Sequence, residues 1–237
     1  MVASMIISLH QPAYLPWLGY LEKVARADVF IFLDTVQFGG KKDNFINRNK
    51  IKTPQGPQWL TIPVSLHGRS DEPLRKVTID DSQPWRTKHL RSIEMNYRRA
   101  PYFKECFSKL EYLINNPETS VVELCWQQLL FWLSEFEIKT SIIRSSELSI
   151  SSRKSELVLD ICRQFGADQY LSGPMGKDYL DTNSFESYEV EIVYQSFMHP
   201  IYPQLWGDFE PYMCIVDYWM NCGAGPLNFL KGDIHGV

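Results

Sequence analysis

Residues 5–36 constrain the fold more than any other stretch. MIISLH is a short apolar run suited to a buried strand. The next segment places Leu18, Leu21, Val24 and Ala25 at helical spacing, and VFIFLDTV is a second buried strand. Strand, helix and strand in immediate succession read as a βαβ crossover in a parallel sheet.

The rest of the chain returns to this rhythm after a long interruption. From Gln37 to Asp80 the pattern changes: QWLTIPVSL and LRKVTID read as strands of a hairpin or small sheet, with the polar HGRSDEP between them. Three helices are predicted next, over TKHLRSIEMNY, YFKECFSKLEYLINN and SVVELCWQQLLFWLSEF. Val122, Leu124, Cys125, Leu129, Trp132 and Leu133 surround the axis of the last, which marks it as buried. KTSIIRSSEL then resumes as a strand. SELVLDICRQFG is the clearest helix, with Ser155 as its expected N-cap and Gly166 as its stop. DQYLSG and VEIVYQSF are further strands, and PYMCIVDYWMNCG is a closing helix. The expectation is an α/β fold: a parallel, Rossmann-like sheet flanked by helices, with an inserted β-hairpin lobe and a helical segment. A single domain over 1–237 is expected, with the lobe at 38–84 and the helices at 85–137.

Ligands of open parallel sheets sit beyond the carboxyl ends of the strands, where loops and helix N-termini converge. The first strand runs into His10 and Gln11, and the second is followed by Asp34 and Gln37. The third leads to ISSRKS, whose Lys154 stands at a helix start suited to an anion. The same residues would equally serve a capped helix with solvated cations. The fourth strand ends at Ser172 and Gly173, with Lys177 and Tyr179 just beyond. HPIYPQLWGDFEPY is a proline-stiffened aromatic loop in which His199, Tyr202 and Gln204 are candidate ligand contacts. In NFINRNKI, Asn47, Arg48 and Asn49 combine a cation with amides that both donate and accept, although asparagine also suits turns. The cationic run Arg86, Lys88, His89, Arg91, Arg98 and Arg99 reads as a solvated helix face.

Composition removes several classes of function. A net charge of −4 gives no general reason for nucleic acid or an anionic membrane as partner. No apolar run reaches membrane-spanning length and MVASMIISLH is a poor secretory signal, so a cytoplasmic protein without membrane insertion is expected. Five separated cysteines with no CxxC pair suit reduced, buried thiols. His10, His199, Asp34 and Asp217 lack any metal-ligand spacing, so no metal site is expected. Walker, GxGxxG and GxSxG motifs are all absent.

Taken together and in order, HQPAYLPWLGY, LDTVQF, NRNKI, YLSGPMGKDYL, HPIYPQ with GDFEPY, and IVDYWMNCG resemble the WbqC-like family of bacterial proteins. That resemblance spans nearly the whole chain and implies a place in O-antigen or other surface-polysaccharide biosynthesis. The opening 30 residues are also similar in layout to nucleotidylyltransferase-type Rossmann-like domains, which carry a HxGH motif. Here Trp17 and Tyr20 stand at its two histidine positions, which leaves His10 to act alone.

The expected activity is a transferase working on an activated sugar or related small-molecule precursor, with a nucleotide or nucleotide sugar as the implied ligand. His10 would act as general base or transition-state hydrogen-bond donor, Gln11 would orient the substrate, Asp34 would orient His10 or bind a hydroxyl, Tyr14 and Trp17 would stack on a base or sugar, and His199 and Gln204 would close the pocket. Lys154 and Arg48 would neutralise phosphate. Two alternatives stand beside it: an acyl or aminoacyl transferase modifying an amino sugar, with an acyl carrier as partner, and a non-catalytic binding protein of the same pathway.

Overall fold

The computed structural model describes residues 4–38, 44–65 and 73–227. Its chain begins with β1 (Ile6–His10), α1 (Leu18–Ala25) and β2 (Val29–Phe32). Four strands follow: β3 (Arg48–Thr53), β4 (Gly56–Thr61), β5 (Val64–Ser65) and β6 (Thr78–Ile79). Next come α2 (Trp85–Tyr97), α3 (Phe103–Ile114) and α4 (Val121–Glu135). The α/β alternation then returns through β7 (Ser141–Arg144), α5 (Lys154–Phe165), β8 (Gln169–Ser172), α6 (Thr182–Ser187), β9 (Glu191–Tyr194) and α7 (Ile215–Cys222). The expected α/β class, with a parallel sheet and a small antiparallel hairpin, is the fold observed.

Two compact units divide the chain. The first takes the residues up to Gln11, Tyr20–Asp34 and Ile138–Met198. It holds a five-stranded sheet in the order β7-β2-β1-β8-β9, every neighbour parallel. β1 lies at the centre, where Ser8 is paired with Phe30 on one side and Leu171 on the other. All four residues of β2 are buried, as a strand covered on both faces requires. Numbered within this unit the order is 3-2-1-4-5, so the direction of strand addition reverses between β1 and β8. α5 stops at Gly166, whose φ of 63° is the left-handed conformation that glycine adopts without strain. Ser155, expected to cap α5, lies inside it instead. The N-cap is Arg153, which makes no side-chain cap bond, and the Ser155 hydroxyl accepts from the Asp181 N–H.

The second unit takes Pro12–Gly19, Thr35–Glu137 and the residues from His199 on. Its main hairpin pairs β3 with β4. β3 was not expected as a strand, because its polar residues read as a turn. In fact Asn49, Ile51 and Thr53 alternate into the interior. LRKVTID is not the continuous strand expected: Leu74–Lys76 form a 3₁₀ turn, and only Thr78–Ile79 pair with β5. QWLTIPVSL is broken at Ile62–Pro63, since proline cannot donate to a ladder. The polar stretch at 67–73 lies outside the described residues except for Pro73. α4 is buried around most of its axis, as expected, and is capped by Ser120 accepting from Glu123 N–H. Trp132, Trp219 and Phe136 are buried in this core, with the Trp132 ring packed against both of the others.

Candidate functional site

The carboxyl end of β1 in the first unit carries the principal candidate site. His10 is the last residue of the strand, its ring edge packed on Tyr20 at a centroid distance of 4.9 Å. Its Nδ1 lies 2.9 Å from the Gln11 carbonyl oxygen. A carbonyl only accepts, so Nδ1 carries the proton and the neutral ring holds its lone pair on Nε2. Burial, followed by the Lys23 charge, lowers His10 to about 3, opposed by the Gln11 bond. The imidazole is therefore neutral at pH 7.

Lys23, in the last turn of the amphipathic α1, is only 4% exposed. Its Nζ donates to the Leu9 carbonyl at 2.8 Å. A Cβ placed on Gly173 would stand 3.7 Å from the same Nζ, so the amine faces the end of β8 across the space the glycine leaves. Burial lowers Lys23 to about 7, only partly countered by Glu22. The Glu22 carboxylate is engaged by Arg26 at 3.1 Å and by the Gln195 amide. No sequence pattern singled out Lys23, because a lysine at this position of a short helix reads as a solvated side chain.

Around these groups the strand ends are tightly organised. Ser172 donates to the Gly173 carbonyl at 3.0 Å. A Cβ on Gly176 would fall 1.9 Å from the Ser172 hydroxyl, so that position accepts glycine only. Burial raises Tyr170, whose hydroxyl meets those of Tyr179 and Ser172. Asp34 is 1% exposed and accepts from the Ser145 hydroxyl, the Ser146 N–H and the Ser146 hydroxyl at 2.6–2.8 Å. It ties the end of β2 to the end of β7 through these bonds. Gln11 and Lys154 are exposed, and neither side chain has a hydrogen bond or ion pair among the described residues.

The second unit holds the other predicted residues. Asp217, in the first turn of α7, is fully buried and takes three donors: Tyr97 OH at 2.7 Å, Tyr202 OH at 2.8 Å and Gln204 Nε2 at 2.7 Å. Lys52 Nζ donates to Gln204 Oε1 at 3.0 Å and to the Asp208 carbonyl. Burial raises Asp217 despite these bonds. Tyr202 and Gln204, expected as ligand contacts, thus clamp the 199–212 loop onto a buried carboxylate. His199 donates from Nδ1 to the Pro200 carbonyl and packs among Tyr202, Phe209 and Tyr212.

The loop 12–17 is held just as firmly. Asn49 donates to the carbonyls of Tyr14 and Leu15, Leu15 N–H donates to Gln128, and Ile215 N–H donates to the Pro16 carbonyl. These bonds keep Leu15 at φ 43°, a conformation costly for a branched residue. Asn47 donates to the Ile62 carbonyl, so both asparagines serve the backbone. Tyr14 is fully buried and bonds His89 Nδ1 at 2.9 Å, and His89 Nε2–H donates to the Thr61 carbonyl at 3.2 Å. His89, expected on a solvated face, is 5% exposed because Trp85, His89, Ile93 and Tyr97 form the inner face of α2. A cavity of about 260 Å³ adjoins it, lined by Thr61, Pro63, Gln83, Trp85, Lys88 and His89. Trp17 is half-buried against Phe45, Arg48 stacks over Trp59 at 3.9 Å, and Gln37 is exposed.

Among the described residues no three His, Cys, Asp or Glu side chains gather as a metal site. Burial pushes the thiols of Cys106, Cys162 and Cys214 up to about 12, so none is a thiolate at neutral pH. No helix among the described residues is long and apolar enough to cross a membrane. The model of the WbqC-like protein family matches residues 11–228. Over 227 residues the chain is 32% identical to Uncharacterized protein Rv1507c of Mycobacterium tuberculosis, covering 95% of this chain and 97% of that protein. No solved structure matches the chain.

Proposed function

The chain belongs to the WbqC-like protein family, and from that premise and the β1 edge we propose that it is a transferase acting on an activated sugar in bacterial surface-polysaccharide assembly. The observation that carries this reading is a neutral His10 with its lone pair on Nε2, placed at the point where the sheet reverses its order. Open parallel sheets bind ligands at such a point. His10 Nε2 takes the proton from the acceptor hydroxyl or amine as that group attacks the activated carbon, while the bond from that carbon to the phosphate oxygen breaks and the nucleotide phosphate leaves with the electron pair. Gly173 keeps the end of β8 open to the donor, and Tyr179, which is 46% exposed, offers a ring and a hydroxyl beside it. The pathway rests on the family resemblance, and a cytoplasmic location agrees with the use of nucleotide-activated donors there.

Ligand binding to the native state raises its apparent stability. A thermal-shift screen of nucleotide sugars, nucleotides and acyl carriers is therefore expected to respond to nucleotide sugars. With the responding donor, His10→Gln loses about 100-fold or more in turnover. A response confined to acyl carriers, or a His10→Gln loss below about tenfold, would replace this reading with acyl transfer or with a non-catalytic role.

A further inference from the structure

A buried ammonium normally has a carboxylate or several carbonyls around it, because three N–H donors removed from water need acceptors. Lys23 departs from that rule. Among the described residues its Nζ has one hydrogen-bond acceptor, the neutral Leu9 carbonyl, and no ion-pair partner. Glu22 does not fill the gap, since its oxygens are held by Arg26 and Gln195. The amine instead faces Gly173, the residue that leaves room for something other than protein.

We infer that the open position beside Gly173, where an added Cβ would meet only Lys23 Nζ within 4 Å, is an anion subsite, which takes the phosphate group of the substrate bound at the His10 edge. This rests on the reading of that edge as a substrate site and adds the chemistry of one part of it. Three observations meet at this point. The end of a parallel strand next to the reversal of order is where phosphates collect. The cation is fixed by packing and by Leu9, so little ordering cost remains when the anion arrives. Among the described residues the cation has no counter-ion.

Binding at this subsite is coupled to a proton. Burial leaves the lysine near half-protonated at neutral pH, and a dianion beside it favours the ammonium. The charged and titratable groups facing Nζ are His10 from β1 and Glu22 from its own helix. Glu22 is already paired, and His10 carries no proton to give at neutral pH on its Nε2. The end of β8 contributes Gly173, which cannot titrate. The proton therefore comes from solvent and goes to Lys23.

Sulfate is the probe, because it is a tetrahedral dianion that does not titrate near neutrality. Calorimetric titration with sodium sulfate near pH 7.5, in two buffers of different ionisation enthalpy, counts the protons taken up. About half a proton or more per sulfate is expected. Lys23→Met keeps the volume of the side chain and is expected to lose about tenfold or more in affinity together with the proton uptake. Gly173→Val, at a backbone φ of −69° that any residue adopts, is expected to block sulfate while leaving the lysine in place. Sulfate bound without proton uptake, or equally well by Gly173→Val or a folded Lys23→Met, would overturn the subsite. If sulfate fails while nucleotide sugars bind and His10→Gln abolishes turnover, the subsite falls and the transferase reading stands. If sulfate behaves as expected and no nucleotide sugar binds, the subsite stands and the transferase reading falls.

Discussion

Asp217 and Lys23 are both charged residues taken out of water, and the two units treat them in opposite ways. Asp217 is surrounded by Tyr97, Tyr202 and Gln204, each donating to a carboxylate oxygen. Lys23 has one carbonyl and a gap beside a glycine. A charge met by three protein donors, with both oxygens engaged, holds a loop in place and is committed to the protein. One left short of partners costs stability, and a fold retains it where it meets something that comes and goes. The two histidines differ in place: His89 is bonded to Tyr14 and Thr61 inside the second unit, and His10, whose Nδ1 donates to the Gln11 carbonyl, stands at the end of β1 in the first.

The largest effect is expected where satisfaction is complete. Asp217→Ala leaves two buried tyrosine hydroxyls and the Gln204 amide without their acceptor. It is expected to cost about 3–5 kcal/mol in urea unfolding, the range for breaking a buried charged network. The 199–212 loop should become the first site of limited proteolysis. A loss below about 1 kcal/mol would mean that the clamp does not hold the loop and that Tyr202 and Gln204 are free to act on a ligand.

Lys23→Met should move stability the other way. The folded state holds Lys23 at about 7, against 10.5 for the free side chain. Below pH 7 the amine is charged in both states and the full burial cost is present. Between pH 7 and 10.5 the unfolded chain binds the extra proton, so native stability rises with pH. Replacing the charge by an apolar side chain of similar size is expected to stabilise by about 1–4 kcal/mol near pH 7. The advantage should fade toward about pH 10.5. A variant less stable than the native protein across this range would place Lys23 in the satisfied class with Asp217.

What could be read from the chain follows from how local each feature is. The βαβ opening is legible because periodicity and burial agree within 32 consecutive residues. Gly166 is legible because a left-handed stop needs almost no tertiary context. β3 is not, since Arg48–Thr53 becomes a strand only against β4, and the pairing supplies what the polar sequence lacks. His10 is visible as a strand-end residue, yet Lys23 is hidden, because nothing within Leu21–Val24 says that the sheet will bury it. The aromatic loop at 199–212 is conspicuous in sequence, but its purpose depends on an acid at position 217 and on tyrosine and lysine residues more than 100 positions upstream. Long-range polar satisfaction has no sequence period, so residues of the clamp look like residues of a site.

The smallest effect tests the two histidines together. Burial holds His10 at about 3 and His89 at about 4, against 6.5 for a free imidazole. Neither ring is therefore expected to titrate between about pH 5 and 8 in an NMR experiment on the imidazole C–H signals. Because the unfolded chain takes up protons that the folded chain refuses, stability should fall as pH drops through 6.5 toward 4. His89 alone should account for about 1 kcal/mol between about pH 7 and pH 5.5. His10, held lower still, should add a loss of similar size in the same direction. Adding the donor substrate separates them: a ligand phosphate beside Lys23 raises the apparent pKa of a neighbouring imidazole, so the His10 signals should shift and those of His89 should not. Movement of both rings would mean that the β1 edge and the Tyr14–His89 pair respond as one, and the division between a satisfied unit and an unsatisfied edge would have to be redrawn.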